Sequence, residues 1–230
     1  MENNNLIYTA TVENVRELKK TLKYIKRKIN EQIRITKSDE ISPLTKVYLL
    51  TYSTWVESNL LKLIHIPDSF STSEINQIKS QSKIEDKWGK LLELVFRKFN
   101  LTKKGSEVPN KKKRIKELID KYILRPSLLR NKIIHGQWHI AFNRENTSIN
   151  NELTDQIKSV NSVQVYIWVE ISELIFQIIE DLVKSKSHNK HKAHYKNYHQ
   201  LLAEIENFEE KTKNWSVESK KKVLARKMRK

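Results

Sequence analysis

Apolar residues recur every three or four positions along most of the chain, and this spacing predicts a protein built from α-helices. A first amphipathic helix is predicted over residues 12 to 36, with a narrow apolar stripe that includes Leu18, Leu22 and Ile25. A second is predicted over residues 43 to 66, with Ser42 as its cap and Pro43 as its first helical residue. A third covers residues 86 to 100 and is followed by a basic loop in which Gly105 and Pro109 break the periodicity.

The second half of the chain continues this pattern. Residues 111 to 123 are helical in pattern, and Pro126 is expected to end or kink that helix because proline lacks an N–H and crowds the preceding turn. A new helix then carries SLLRNKIIH, and Gly136 occupies the position of a left-handed C-terminal cap. The Asn-rich stretch from 137 to 156 predicts a loop with a short β-hairpin. Residues 161 to 184 are apolar on nearly every side, typical of a central bundle helix or of a helix in an oligomer interface, and Glu170 and Glu173 argue against a membrane span.

These segments predict an all-α protein of two parts. Only three Gly and four Pro occur in the 230 residues, and strand-like alternation is scarce. Residues 1–186 form the predicted helical domain. Residues 187–230 form a basic, His- and Lys-rich extension with 12 Lys and Arg against five Glu, and we expect this extension to be an appendage.

Charge and composition narrow the class of partner. The 44 Lys and Arg against 27 Asp and Glu give a formal net charge of +17, which favours phosphates and therefore nucleic acid. An anionic membrane surface also fits this charge, but no segment offers about 18 uninterrupted apolar residues, and the N-terminus lacks the layout of a signal peptide. We therefore expect a soluble, cytoplasmic protein. The absence of cysteine excludes disulfides, thiolate nucleophiles and Cys-based zinc sites.

The stretch RNKIIH, residues 130 to 135, groups side chains that suit phosphate chemistry. Asn131 and His135 lie four positions apart and would share one helical face, and the long side chain of Arg130 could reach a phosphate lying across the last turn. Cleaving RNA without a metal requires a proton donor or acceptor that works near neutrality, such as His135, and a cation that stabilises the phosphorane, such as Arg130. Asn131 would orient the imidazole or a phosphate oxygen.

The alternative interpretation is structural, since Arg and His within six residues occur often by chance and a histidine near a helix C-terminus favours the negative end of the helix dipole. The neighbouring apolar residues favour the functional interpretation, because they are predicted to bury the helix that holds the polar group in place. These neighbours are Leu128, Leu129, Ile133 and Ile134.

The hexapeptide RNKIIH resembles the R-x-x-x-x-H motif, with its usual polar residue after Arg, of the HEPN superfamily of α-helical ribonucleases and toxins. The resemblance covers residues 12 to 184, and its specific part is the motif and its place at the end of a late helix. It implies a HEPN-like helical bundle and a homodimer whose two motif helices line one cleft. It also implies a metal-independent endoribonuclease that needs no cofactor, acting as a bacterial toxin or antiphage effector and restrained by an antitoxin or another defence partner.

The resemblance further implies attack of a ribose 2′-OH on its own phosphate, with His135 as general acid or base and Arg130 stabilising the pentacoordinate phosphate. DNA, which lacks the hydroxyl, would be spared. Glu57 is the candidate carboxylate to orient Arg130 through a salt bridge, and the alternative for Glu57 is an ordinary boundary residue paired to a nearby lysine.

Further residues are candidates for binding RNA, such as tRNA or mRNA. Trp138 could stack on a base or pack against the bundle, and His139 follows it. The His188, His191, His194 and His199 cluster invites a metal site, but the interleaved lysines favour a solvated basic face, and no metal is predicted. The predicted basic contacts are Lys111, Lys112, Lys113, Lys220, Lys221 and Lys222.

Two hypotheses of different classes therefore stand. The first is a metal-independent endoribonuclease, and the second is a non-catalytic HEPN-like module that binds RNA or a protein. The complete R-N-x-x-x-H grouping favours the first. Glycine-rich phosphate loops, paired carboxylates for two-metal chemistry and Ser-His-Asp arrangements are not recognisable in the sequence, which disfavours ATPases, metal nucleases and serine hydrolases.

Overall fold

The computed structural model describes residues 2–35, 38–100, 107–185 and 191–226, and these ranges fold into an all-α bundle, as predicted. The helices of the first half are α1 (Glu2–Arg34), α2 (Ser38–Ile64), α3 (Thr72–Lys79), α4 (Ile84–Asn100) and α5 (Glu107–Ile119). A π-helical turn (Asp120–Leu124) then leads into α6 (Arg125–Ile134), α7 (Asn151–Ser159), α8 (Ser162–Lys184), α9 (His191–Thr212) and α10 (Val217–Arg226).

The observed helix boundaries correct several predictions. Helix α1 begins ten residues earlier than expected, and α2 begins at Ser38, so Pro43 lies inside the helix and is not its first residue. Helix α5 begins at Glu107, which puts Pro109 in its first turn, and residues 101–106 of the predicted loop lie outside the described ranges. The short helices α3 and α7 were not predicted. Both start at polar caps, a Ser71/Glu74 capping box for α3 and the Asn150 side chain for α7.

Helix α8 occupies the centre of the bundle and packs against α2 and α9, with smaller contacts to α1, α5 and α10. Its N-terminus is fixed by a capping box in which Asn161 accepts from the Gln164 backbone N–H and Gln164 accepts from the Asn161 backbone N–H. Of the two predicted roles for this segment, the structure shows the central bundle helix. Helix α8 is long and apolar enough to cross a membrane, but 56% of its most apolar 18-residue segment is buried inside the protein.

An aromatic cluster connects α2, α4 and α8 at the core. The Phe176 ring stacks on the ring of Trp88 at a centroid distance of 5.8 Å and meets Trp55 edge-on at 5.1 Å. All three side chains are almost fully buried. Buried aromatic pairs contribute about 0.5–1.5 kcal/mol each beyond the area they remove from water, so this cluster gives the bundle a rigid centre.

The C-terminal extension packs against the bundle and is not a separate appendage. Helix α9 lies along α8, α10 contacts α1 and α8, and Tyr198, Ile205 and Leu224 belong to the hydrophobic core. The predicted boundary after residue 186 falls at residues 186–190, outside the described ranges.

Pro126 is accommodated by a change of helical form. The predicted kink is a π-helical turn just before it, in which the Arg125 backbone N–H bonds to the carbonyl of Asp120, five residues back. Proline has no N–H to offer the Tyr122 carbonyl one turn earlier, and that carbonyl instead accepts from the buried Tyr52 hydroxyl, which also lies 2.8 Å from the Ser172 Oγ. This buried relay of Tyr52, Tyr122 and Ser172 anchors the start of α6 to α2 and α8.

Candidate functional site

Helix α6 ends in a Schellman motif that sets the position of the RNKIIH segment. Gly136 has φ +81°, its N–H bonds to the Ile133 carbonyl, and the Gln137 N–H bonds to the Lys132 carbonyl. The predicted left-handed cap at Gly136 is confirmed. His135 is the capping residue, with non-helical backbone angles and an exposed side chain. The imidazole therefore lies at the open end of the helix, where substrate could reach it.

Arg130 is held by two neighbours. Its Nη2 lies 2.9 Å from Glu57 Oε1 on α2, and its Nη1 donates to Asn131 Oδ1 at 3.1 Å. The predicted Glu57–Arg130 salt bridge is confirmed. The Arg130 side chain keeps 23% of its surface exposed and that of Glu57 keeps 47%. The guanidinium is therefore oriented by α2 but remains accessible to an anion.

Asn131 and His135 are not joined as expected. The Asn131 amide oxygen is engaged by Arg130, and the His135 side chain forms no hydrogen bond or ion pair with any described residue. The two lie at opposite ends of the last turn of α6, and His135 leaves the helical conformation with φ −90° and ψ 23°. Asn131 therefore supports Arg130 rather than the imidazole.

The apolar neighbours of the motif divide into two sets. Leu129 and Ile133 are buried against the bundle, as predicted, whereas Leu128 and Ile134 are 58% and 54% exposed. The prediction that all four bury α6 was wrong for Leu128 and Ile134, because the helix is docked on only one side. Its other side presents large apolar groups beside the polar motif.

The segment after the motif is a folded loop. Phe142 and Ile149 form an isolated antiparallel bridge, the remnant of the predicted hairpin. The Phe142 carbonyl accepts from Lys132 Nζ at 2.6 Å, and its N–H donates to Gln137 Oε1 at 2.8 Å. Trp138 is 38% exposed with Lys46 Nζ 5.9 Å from its ring centroid, and His139 is exposed. Trp138 is therefore exposed enough to stack on a base, with the Lys46 ammonium close to its ring.

A cleft of about 840 Å³ opens beside Arg130, bounded by α2, the α3–α4 region and the α5–α6 segment. Glu57, Arg130 and Asn131 are among its lining residues, while His135 lies outside its lining. The floor is aliphatic, and the rim is rich in cations that the sequence did not single out. These cations are Lys79, Lys83, Lys87, Lys116 and Arg125.

The lysines predicted to bind RNA differ in how exposed their side chains are. Lys111 is only 6% exposed and lies over the Tyr198 ring at 5.0 Å, and Lys220 is only 8% exposed. Burial lowers the pKa of Lys220 to about 8, with a smaller contribution from the charge of Lys26. These two side chains therefore do not lie on a surface that RNA could contact. Lys112 is half-buried, and the exposed members of the set are Lys113, Lys221 and Lys222.

The His-rich cluster is only partly described. The side chains of His188, His191 and His194 lie outside the described residues, and His199 is exposed with its ring 5.2 Å from that of Tyr198. Among the residues that are described, no group of three His, Asp or Glu side chains could hold a metal ion.

Comparisons of the chain with protein-family models, with curated proteins and with solved structures give no match.

Proposed function

We propose that this protein is a metal-independent endoribonuclease of the HEPN type, with Arg130 and His135 as its catalytic residues. The observation that carries the proposal is the oriented guanidinium of Arg130, paired with Glu57 at the mouth of a cationic cleft, with an exposed histidine at the end of the same short helix. A positioned cation and an accessible imidazole are the two groups that phosphodiester transfer in RNA requires.

The proposed reaction is an internal transesterification. The ribose 2′-oxygen attacks the adjacent phosphorus while its proton passes to a base, and the bond from phosphorus to the 5′-oxygen breaks as an acid protonates that oxygen. The products are a 2′,3′-cyclic phosphate and a 5′-hydroxyl. His135 takes one of the two proton-transfer roles, and Arg130 stabilises the extra negative charge on the phosphorane oxygens. Glu57 and Asn131 are positioning residues that hold the guanidinium.

The second proton-transfer group would come from a second copy of the chain. Leu128, Ile134, Ile140 and Phe142 are large exposed apolar residues around the motif, and such a patch is typical of an interaction surface. A homodimer that buries this patch would bring two motif helices together and supply one histidine as acid and the other as base. A cytoplasmic toxin or antiphage effector, held inactive by a partner protein, is the biological role that we propose for this activity.

A second candidate function is a non-catalytic module that binds RNA or a protein. The observation in its favour is that Arg130 already has two partners within the chain, which a purely structural arginine would also have. In that case Arg130 would fasten α6 to α2, and the exposed apolar residues alone would form the functional surface.

The reaction is tested with purified protein and total RNA or tRNA in excess EDTA, with analysis of the fragment ends. We expect fragments with cyclic phosphate and 5′-hydroxyl ends, and no cleavage when the nucleotide at the cleaved position carries a 2′-deoxyribose. Cleavage of the deoxy-substituted RNA, or strict dependence on a divalent metal, would overturn the mechanism. Intact RNA with binding retained in the Arg130→Ala and His135→Ala variants would favour the binding module.

A further inference from the structure

We infer that the cleft beside Arg130 is the binding site for a short single-stranded segment of RNA, held through its phosphates by Lys79, Lys83, Lys87, Lys116 and Arg125. This inference rests on the proposed function, because it gives a binding site to the part of the substrate strand that lies on one side of the scissile phosphate. It also differs from the sequence prediction, which placed the phosphate contacts on the 111–113 and 220–222 lysines.

The first support is the charge of the cleft. Six cations line it, and only three carboxylates, Glu57, Glu85 and Asp120, lie among them. The Glu57 carboxylate is used by Arg130. The other five cations form no ion pair with any described residue, so their charge is available to an incoming polyanion. Cations that lie close together repel one another, and a bound phosphate chain relieves that repulsion.

The second support is the place of these cations in the fold. Lys79 ends α3, Lys83 immediately precedes α4, Lys87 lies in the first turn of α4, Lys116 is on α5, and Arg125 begins α6. They therefore converge from four elements on one concavity that Arg130 also lines. A strand whose scissile phosphate sits at Arg130 would continue directly into this cleft, and its next phosphates would meet these side chains.

The third support concerns the form of the nucleic acid. The cleft volume of about 840 Å³ falls within the range of sites that enclose small ligands, roughly 300–1,000 Å³, and a double helix could not enter it. The aliphatic floor, with Leu60, Ile64 and Leu124, offers an apolar surface to ribose and base edges but no aromatic ring for stacking. Binding should therefore depend on the backbone and tolerate different sequences.

The distinguishing variant is Lys83→Gln with Lys87→Gln, and the matched control is Lys158→Gln with Lys211→Gln. The control lysines are exposed, unpaired among the described residues and outside the cleft, so both double variants lose the same charge. The ligand is a fluorescent 12-nucleotide RNA with 2′-O-methyl groups, which cannot react, and binding is measured by anisotropy between 50 and 200 mM salt. Cleavage of the unmodified RNA is measured in parallel.

We expect the cleft variant to bind at least about tenfold more weakly at 100 mM salt. The slope of log affinity against log salt should also fall by about 1.4, since each lost single-strand phosphate contact accounts for about 0.7. The control variant should retain the wild-type affinity and slope. A fully paired duplex of the same length should bind more weakly than the single strand in wild type but not lose affinity further in the cleft variant.

Equal loss in both double variants would overturn the inference, because binding would then follow net charge alone. Preference of the cleft for a polyglutamate peptide over RNA of equal charge would also overturn it, in favour of an acidic protein partner. Wild-type protein that binds through the cleft lysines but never cleaves would preserve this inference while refuting the proposed ribonuclease. Unchanged binding and unchanged cleavage in the cleft variant would refute this inference and leave the proposed ribonuclease intact.

Discussion

The aromatic core and the motif surface belong to the same bundle, yet they are built in opposite ways. In the core, Phe176, Trp55 and Trp88 are almost fully buried and in mutual contact. At the motif surface, Leu128, Ile134 and the His135 imidazole are exposed. Helix α6 is anchored at its start by the hydrogen bonds of Tyr52, and it ends with the exposed side chain of His135. A rigid interior thus holds an accessible reactive end, which is what preorganisation of a site requires.

Matched phenylalanines give the largest contrast between these regions. Phe176→Ala should lower the free energy of unfolding by about 3–5 kcal/mol, because it leaves a cavity between two tryptophans. Phe142→Ala, at a residue that is 39% exposed, should change the free energy by less than about 1 kcal/mol. Urea unfolding followed by circular dichroism measures both. Similar losses in the two variants would mean that the loop after α6 is part of the core.

The anchor of α6 is tested by removing one hydroxyl. Tyr52→Phe should cost about 1–3 kcal/mol, because it leaves the Tyr122 carbonyl and the Ser172 hydroxyl buried without this partner, and Pro126 has no N–H to replace it. Tyr24→Phe, at an exposed tyrosine of α1, is the control and should have almost no effect. A neutral Tyr52→Phe would show that the π-helical turn is stable without the relay.

Two adjacent lysines distinguish a buried cation from an exposed one. In the folded protein the pKa of Lys220 is lowered by burial to about 8 from its usual 10.5. Between pH 8 and 10.5 Lys220 is protonated in the unfolded chain but largely neutral in the folded protein, so the free energy of unfolding should rise with pH over this window. The buried charge of Lys220 should destabilise the fold most below pH 8. Lys220→Met should stabilise the protein at pH 7 by on the order of 1–2 kcal/mol and reduce that rise.

Lys221→Met is the control, because Lys221 is exposed beside it. Unfolding free energies measured from pH 7 to 9.5 should show the same slope in Lys221→Met as in wild type. If Lys220→Met destabilises the protein instead, the lysine stem contributes more through packing than its charge costs.

The smallest expected effects come from two glycines. Gly136→Ala should destabilise by about 1 kcal/mol because φ +81° strains any residue with a Cβ, although no atom lies within 4 Å of that Cβ. Gly89→Ala, inside α4 and equally uncrowded, should stabilise by about 0.5–1 kcal/mol, since alanine favours the helix. Thermal unfolding measures both, and a stabilising Gly136→Ala would mean that the end of α6 relaxes easily.

Local patterns were sufficient to predict the helical class and the cap at Gly136. The Glu57–Arg130 pair needed more, because the motif resemblance suggested a carboxylate partner for Arg130 and the place of Glu57 beside an apolar helical face only made it a candidate. The short helix α3 carries a Ser71/Glu74 capping box, a local signal that could have found it. The π-helical turn was not predictable, because the hydroxyl that satisfies the Tyr122 carbonyl comes from Tyr52, 70 residues away in the sequence.

The cationic cleft could not be found from the sequence for a similar reason. Lys79, Lys87 and Arg125 are ordinary cations on separate helices, and only tertiary packing brings them to one concavity. Conversely, the lysine runs at 111–113 and 220–222 suggested a continuous basic surface. In the fold, each run turns one lysine inward, Lys111 over Tyr198 and Lys220 among α1, α8 and α10. The two charge runs therefore do not form the continuous basic surface that the sequence suggested.

The central claim, that the exposed end of α6 performs the chemistry, is tested most directly by the rates of RNA cleavage in EDTA for His135→Ala and His199→Ala. Both remove one exposed histidine, and His199 lies on α9, outside the motif and the cleft. We expect a loss of at least about 100-fold for His135→Ala, with an unchanged melting temperature, and less than a twofold change for His199→Ala. Equal activity in the two variants would contradict it.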